Sequence, residues 1–189
     1  IRYDASTDKK TLVNPTNHTY FNLKGHDCEK TIEDEKVWIK ASHYTKVRMG
    51  AIPTGEIAPV EGTPFDFTQL KAVSRDISAE DVQLALVKGY DHNFAIDGYE
   101  EGKLQKIAEV VDDEAGRTME VYTDLPGVQL YTGNNMVPEF GKEGAYYPCR
   151  GGLCLETQFF PNSAKQEGFI KPVVTPEKPF SSVTVYKFV

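Results

Sequence analysis

The hydrophobic positions of this chain fall into short runs of β-branched and aromatic residues, separated by clusters of Gly, Pro, Asp and Asn. Such runs are typical of β-strands, because branched and aromatic side chains pack well on a pleated surface. Three clear examples lie at residues 37–39, 93–96 and 183–186. Two further runs, at 104–111 and 118–123, surround a polar segment and predict a β-hairpin. The pattern therefore predicts an all-β fold with one predominantly antiparallel unit.

Only one segment, at roughly 78–87, has the pattern of a helix, and Ser78 three residues before Asp81 predicts its N-terminal cap. Two acidic stretches, 29–35 and 112–114, are interpreted as solvated loops, because runs of like charge usually lie at the surface. No internal repeat or break in composition marks a linker. The sequence therefore predicts one continuous unit over residues 1–189.

Composition narrows the class of protein. The chain has 189 residues, the size of one ordinary domain, and its content of 40% hydrophobic and 11% aromatic residues supports a packed core. The formal net charge of −7 argues against a nucleic acid as partner, because such proteins usually carry a basic field. No apolar run approaches the ~18–20 residues of a membrane span. Three cysteines without metal-type spacing argue against a disulfide framework and indicate a reducing, cytoplasmic location.

Polar residues are unusually dense beside or within several predicted strands. The last of these stretches reads Gly-Leu-Cys-Leu-Glu-Thr-Gln, and a strand there places Leu153 and Leu155 on one face and Cys154, Glu156 and Gln158 on the other. A carboxylate in the middle of a strand is costly to bury unless it is paired or lines a wet cavity. Glu156 is therefore a candidate for a polar site.

The same alternation places Gln129 and Tyr131 together on one face of another predicted strand. A sheet face that carries Glu, Gln and Tyr suits a ligand rich in hydroxyl groups. His18 lies in a stretch dense in Asn and Thr, so an imidazole is also available for proton transfer. From the residues alone, the hypothesis is a β protein that binds a polyol, with His and Glu available for proton transfer.

Six motifs occur in a fixed order: Thr-Asn-His-Thr-Tyr-Phe-Asn-Leu at 16–23, Ile-Pro-Thr-Gly-Glu at 52–56, Gly-Thr-Pro-Phe-Asp-Phe at 62–67, Gly-Tyr-Asp-His-Asn-Phe at 89–94, Pro-Gly-Val-Gln at 126–129 and Glu-Thr-Gln at 156–158. In this order they resemble the C-terminal part of the aldose 1-epimerase family, also called galactose mutarotases. One such motif alone is weak, but the ordered set is specific. The resemblance runs from about Tyr3 to the end of the chain.

The resemblance implies a large antiparallel β-sandwich that interconverts the α and β anomers of free hexoses such as galactose and glucose. It implies no metal and no organic cofactor. Glu156 matches the general base of the family and His18 matches the general acid. Tyr20, Asp91 and Gln129 match positions that contact sugar hydroxyls. The partner implied is a small aldose, with neither a nucleic acid nor a membrane.

Family members are considerably longer than this chain, and their N-terminal portion supplies part of the sandwich. The prediction is therefore that residues 1–189 form the C-terminal part of the domain. A half sandwich exposes sheet edges and an apolar face. We accordingly expect the chain to pair with its own N-terminal part, to associate with another copy, or to be a proteolytic remnant.

Two alternatives stay open on the sequence. An epimerase of hexose 6-phosphates needs a basic cluster for the phosphate, and no arginine lies in the matched segments. A non-catalytic sugar-binding β module does not require both His18 and Glu156. The remaining histidines, His26, His43 and His92, are interpreted as surface or structural residues, and the dispersed histidines predict no metal site.

Overall fold

The secondary structure consists almost entirely of strands. A computed structural model describes all 189 residues. In chain order the elements are β1 Arg2–Ala5, β2 Thr11–Leu12, β3 Lys36–Ile39, β4 His43–Arg48, β5 Ile52–Pro59, β6 Lys71–Ala72, α1 Val82–Val87, β7 Asp91–Ala95, β8 Gln105–Asp112, β9 Arg117–Thr123, β10 Gly127–Tyr131, β11 Glu139–Phe140, β12 Tyr146–Tyr147, β13 Cys154–Gln158, β14 Val173–Val174 and β15 Phe180–Phe188, with 3₁₀ turns at Val73–Arg75 and Lys142–Gly144.

Two antiparallel sheets make up the body of the structure. The larger has six strands in the order β1-β15-β9-β8-β3-β6, and the smaller has five in the order β13-β10-β7-β4-β5. All strand pairs within both sheets are antiparallel. The pairs β11-β12 and β14-β2 form two small additional sheets. The predicted all-β antiparallel fold is confirmed.

The hydrophobic core lies between the two sheets. A single cluster of 25 buried residues includes Val110 and Met119 from the six-stranded sheet and Phe94 and Leu130 from the five-stranded sheet. Each such side chain contributes roughly 1.5–3 kcal/mol when it is fully removed from water. The Tyr186 hydroxyl of the larger sheet also donates a hydrogen bond to a backbone carbonyl of β13 at 2.8 Å. The sheets therefore pack face to face as a β-sandwich.

The strands that the sequence predicts most clearly are present. The predicted runs at 37–39, 93–96 and 183–186 overlap β3, β7 and β15. The predicted hairpin is β8-β9, in which Asp112 pairs with Arg117 across the turn. These elements depend on local alternation and on turn residues, so the sequence alone suffices to find them.

The predicted start of the helix is wrong. The helix α1 begins at Val82 rather than near Ser78, and the Asp81 side chain accepts hydrogen bonds from the backbone N–H groups of Gln83 and Leu84 at 2.7 and 3.1 Å. Asp81 is therefore the N-cap. No helix of the structure combines the length and the apolar character that crossing a membrane requires.

The two acidic stretches are not wholly solvated, which corrects the prediction. Glu35 is fully buried and Asp112 is 2% exposed. A Glu35 oxygen accepts a hydrogen bond from the Leu23 N–H at 2.7 Å. Asp112 forms a 2.6 Å ion pair with Lys24, which is itself buried. Each carboxyl enters the interior because a distant segment supplies a partner for it.

Candidate functional site

Three adjacent strands of the smaller sheet, β7, β10 and β13, build one polar face. Gln129 on β10 lies opposite Glu156 on β13 and opposite Asn93 on β7. Tyr131, two residues further along β10, lies opposite Cys154 and Asp91 in the same way. Since alternate residues of a strand point to one side, these side chains share a face. The other face directs leucines into the hydrophobic core, and His92 on this face is also fully buried.

His18 reaches this polar face from a loop that precedes a short bridge to the residue just before β13. The bridge joins Phe21 to Leu153 through two backbone hydrogen bonds of 2.8 and 2.9 Å. His18 Nε2 then lies 3.4 Å from Glu156 Oε1. The Tyr20 ring lies 5.0 Å from the imidazole, centroid to centroid. The loop therefore places an imidazole and a carboxylate side by side.

A chain of amide hydrogen bonds fixes the orientation of Asp91. The Gln129 side-chain amide donates to Asp91 Oδ1 at 2.8 Å. The Gln158 amide donates both to Gln129 Oε1 at 3.1 Å and to Asn93 Oδ1 at 3.3 Å. In each hydrogen bond the amide nitrogen donates and the amide or carboxylate oxygen accepts. The network therefore fixes the orientation of the Gln129 and Gln158 amides and of the Asp91 carboxylate towards the cavity.

The polar face is the floor of an open cavity of about 380 Å³. The side chain of His18 is 48% exposed, whereas that of Glu156 is only 11% exposed. The lining residues are His18, Tyr20, Asp91, Gln129, Tyr131, Glu156, Gln158 and Pro161. The structure thus brings together all five residues that the sequence predicts for the site, and their individual roles stay predictions.

Burial controls the acid–base properties of the cavity. It raises the pKa of the Glu156 carboxyl above its ordinary value, and the nearby Asp91 adds to this, while the His18 imidazole opposes it. Burial also raises the pKa of Asp91, although the hydrogen bond from Gln129 acts in the opposite direction. A carboxyl whose pKa lies closer to neutral pH is a stronger base once it is ionised. The cavity is therefore suited to proton transfer.

A metal ion fits this arrangement poorly. His18, Cys154 and Glu156 each offer one ligand atom, and these atoms lie within 4.8 Å of one another. However, Cys154 Sγ contacts Nδ1 of His18 at 3.3 Å, whereas Glu156 contacts Nε2. One ion bonds to only one ring nitrogen, so the three side chains do not converge on a single centre. Burial also raises the pKa of the Cys154 thiol, and metals bind the thiolate.

Strand alternation places three further residues on this face from the sequence alone, namely Cys154, Tyr131 and Gln158, because each lies two residues from Glu156 or Gln129. No role at the site was assigned to them from the sequence. His92, interpreted as structural, is fully buried in the core, and burial lowers its pKa to about 4.

Comparison with known proteins agrees with the motifs and the fold. A sequence model described as aldose 1-epimerase matches residues 1–187. The chain belongs to this family. Human galactose mutarotase is 41% identical over 189 residues, which cover 100% of this chain and 53% of that protein. Aldose 1-epimerase of Escherichia coli (strain K12) is 36% identical over 193 residues, which cover 100% of this chain and 54% of the relative.

A solved structure supports the same assignment to the aldose 1-epimerase family. The GalM/aldose epimerase homologue from C. elegans superposes with a TM-score of 0.84 at 25% identity, covering 100% of this chain and 55% of that one. The chain spans about half the length of the curated relatives it matches. The predicted family and its sandwich fold are confirmed.

Proposed function

We propose that this chain carries the acid–base pair of an aldose 1-epimerase, which interconverts the α and β anomers of free hexoses such as galactose and glucose. The observation that carries the proposal is the 3.4 Å approach of His18 Nε2 to Glu156 Oε1 in an open, polar cavity. Membership of the aldose 1-epimerase family and the names of the relatives support it.

The proposed reaction moves two protons. Glu156 removes the proton from the anomeric hydroxyl, and His18 protonates the ring oxygen, so that the ring opens to the aldehyde. Rotation about the C1–C2 bond presents the other face of the carbonyl group. The ring then closes, with His18 taking a proton from the O5 hydroxyl and Glu156 returning one to O1. No atom is gained or lost over the cycle, and no cofactor takes part.

The chemistry requires both residues, because opening a hemiacetal takes a proton from one oxygen and gives a proton to another. A positioned acid or base each contributes roughly 10²–10⁴-fold to the rate. The raised pKa of Glu156 makes its carboxylate a better base than an exposed glutamate. Exposure of His18 leaves its imidazole within reach of the sugar ring.

Asp91 and Gln129 are proposed to bind sugar hydroxyls. The carboxylate of Asp91 is a strong acceptor, and the Gln129 amide that holds it at 2.8 Å fixes its orientation. Tyr20, which is 46% exposed, flanks His18 and offers an aromatic face and a hydroxyl to the ligand. Together they supply the donors and acceptors that a polyol requires.

The cavity favours a free sugar over a sugar phosphate. None of its lining residues is Lys or Arg, although a phosphate site usually contains such a group. The acid–base pair favours catalysis over mere sugar binding, since binding alone does not require the two groups to meet. Cytoplasmic location and association with an N-terminal part or a second copy stay predictions.

The test is polarimetry of freshly dissolved α-D-galactose and α-D-glucose, with the natural protein that contains this chain and with its Glu156→Gln variant. We expect faster mutarotation with the protein, and a loss of about 100-fold or more in the variant. Circular dichroism establishes that both proteins are folded. A folded protein that binds galactose without accelerating mutarotation would indicate the sugar-binding module instead. An unchanged rate in the variant would exclude Glu156 as the base.

A further inference from the structure

The imidazole of His18 has two different neighbours on its two edges. Nε2 faces Glu156 Oε1 at 3.4 Å on the cavity side. Nδ1 faces Cys154 Sγ at 3.3 Å, and Cys154 is fully buried on β13, two residues before Glu156. The thiol is the one protein group that hydrogen-bonds to Nδ1. One edge of the ring is therefore directed to the reaction and the other to the interior.

The thiol is neutral in this environment. Burial is the main cause of its raised pKa, and the carboxyl groups of Glu156 and Asp91 raise the pKa further. A thiolate here would be a further negative charge beside two carboxyl groups. Cys154 therefore neither donates a proton to His18 nor removes one from it during the reaction. A neutral thiol can still act as a weak hydrogen-bond acceptor through sulfur.

The proposed reaction specifies which ring nitrogen must keep its proton. As a general acid, His18 starts with a proton on both nitrogens and passes the one on Nε2 to the sugar ring oxygen. The neutral ring that remains holds its proton on Nδ1, and Nε2 is then free to accept a proton when the sugar closes again. An acceptor beside Nδ1 stabilises this tautomer. Sγ of Cys154 is in that position.

We propose that Cys154 is a positioning residue that holds the proton of neutral His18 on Nδ1 and so confines proton exchange with the sugar to Nε2. This inference rests on the proposed function. A carboxylate beside Nδ1 would also orient the ring, but it would stabilise the charged imidazolium and weaken His18 as an acid. The thiol orients the ring without adding a charge.

The first experiment observes the tautomer directly and does not depend on catalysis. Histidine labelled with ¹⁵N is introduced into the natural protein in a Glu156→Gln background, which removes the carboxylate from the Nε2 side. The ¹⁵N chemical shifts of neutral His18 then report the protonated nitrogen. We expect mainly the Nδ1–H form, and a shift towards Nε2–H when Cys154→Ala is added. The same tautomer ratio with and without the thiol would overturn the proposal.

The second experiment separates a positioning role from a packing role. Cys154→Ser keeps an acceptor at this position, whereas Cys154→Ala removes it, and both replacements are small. We expect kcat for mutarotation to fall about tenfold in the alanine variant and to recover to within about threefold in the serine variant, with KM little changed. Equal losses in both variants would indicate packing alone. If Cys154→Ala changes the tautomer ratio of His18 but the wild-type protein does not accelerate mutarotation, the proposed function is wrong and the role of Cys154 in setting the tautomer stands.

Discussion

Glu156 and Glu35 are two buried glutamates with raised pKa values and opposite surroundings. Glu156 lies beside the His18 imidazole and opens onto the polar cavity. Glu35 is fully buried, and desolvation raises its pKa to about 7. One Glu35 oxygen accepts the Leu23 N–H, whereas the other, Oε2, has no partner. Removal from water thus raises the pKa of both carboxyls, although one lies at an open cavity and the other in the closed interior.

The comparison shows that a raised pKa does not by itself identify a functional site. Perturbed carboxyls occur at active sites, but buried structural groups titrate abnormally as well. What distinguishes Glu156 is access to a ligand and a second titratable group at 3.4 Å. Glu35 forms no ion pair and is fully buried, so we interpret it as a structural residue.

Glu35 belongs to a buried polar group that holds the segment following the His18 loop. Its neighbour Lys24 pairs with Asp112 at 2.6 Å, and Arg117 donates to the Leu23 carbonyl at 2.6 Å. These contacts tie the segment to the turn of the β8-β9 hairpin. The buried polar group therefore anchors the segment that follows the loop, and the loop itself carries His18 to the cavity.

The largest expected effect is on the open site. In the natural protein, His18→Asn removes the proposed acid, and we expect mutarotation to slow by about 10²–10⁴-fold while the fold is kept. Polarimetry measures the rate and circular dichroism the fold. His43→Asn, on the exposed start of β4, is the matched control and should leave the rate unchanged. A His18→Asn variant with the wild-type rate would contradict the acid–base pair.

The next largest effect is expected when a charge is removed from the buried polar group around Glu35. Asp112→Asn leaves the Lys24 ammonium buried without its counter-charge, and breaking such a pair typically costs about 3–5 kcal/mol of unfolding free energy. Urea denaturation measures the loss. Asp113→Asn is the control, because Asp113 pairs with Lys36 at the surface, where an ion pair contributes about 0–1 kcal/mol. A similar loss of unfolding free energy in Asp112→Asn and Asp113→Asn would show that the buried ion pair of Lys24 and Asp112 stabilises the protein no more than the surface pair does.

Glu35 should make stability depend on pH. Its folded pKa of about 7 lies above the ordinary 4.5, so its contribution is fully present below about pH 4.5 and is lost as the pH rises through about 7. Glu35→Gln does not titrate and keeps an oxygen for the Leu23 N–H. Between about pH 5 and about pH 8, the variant should therefore gain about 2–3 kcal/mol of unfolding free energy relative to the wild type.

Urea denaturation at both pH values measures this difference for Glu35→Gln. Asp34→Asn is the matched control, because Asp34 is the exposed acidic neighbour in the same stretch. Its stability relative to the wild type should change little with pH. If Glu35→Gln behaves like Asp34→Asn, then Glu35 is ionised in the folded protein without cost, and burial does not raise its pKa as it raises that of Glu156.

Local patterns explain what could be predicted from the sequence. The β8-β9 hairpin and the strands β3, β7 and β15 depend on alternation and turn residues that lie close together in the chain. The residues alone indicate a polar face that carries Gln129, Tyr131 and Glu156, with an imidazole and a carboxyl available for proton transfer. The resemblance to the aldose 1-epimerase family was needed to assign His18 and Glu156 as acid and base, to add Tyr20 and Asp91, and to propose the reaction.

Contacts between distant segments explain what could not be predicted. Both Ser78 and Asp81 are acceptable caps for a helix by their residue type. The Gln83 side chain binds the backbone N–H and C=O of Val47 at 2.7 and 3.1 Å, beside the irregularity in the β4-β5 pairing between Thr45 and Val47. This tertiary contact favours a helix whose first turn contains Gln83. The buried pair of Lys24 and Asp112 likewise joins segments that no local pattern connects.

The smallest expected effect returns to the open site and concerns recognition rather than proton transfer. Gln129→Ala removes the amide that donates to Asp91 Oδ1 at 2.8 Å. A hydrogen bond to a charged group contributes about 1.5–3 kcal/mol, and water in the open cavity compensates for part of it, so we expect KM for galactose to rise about tenfold. The value of kcat should change less, because His18 and Glu156 keep their positions.

Because the cavity around Glu156 is open and the group around Glu35 is buried, Gln129→Ala should affect sugar binding and not stability. Loss of an amide at an open cavity should leave the unfolding free energy within about 1 kcal/mol of the wild type, because water reaches the groups that it leaves behind. Steady-state polarimetry gives kcat and KM, and urea denaturation gives the stability. Gln105→Ala, whose amide contacts Lys40 away from the cavity, is the control and should not change KM. If Gln129→Ala instead lowers the stability strongly and leaves KM unchanged, then Gln129 is a structural residue like Glu35. Another group would then have to orient Asp91.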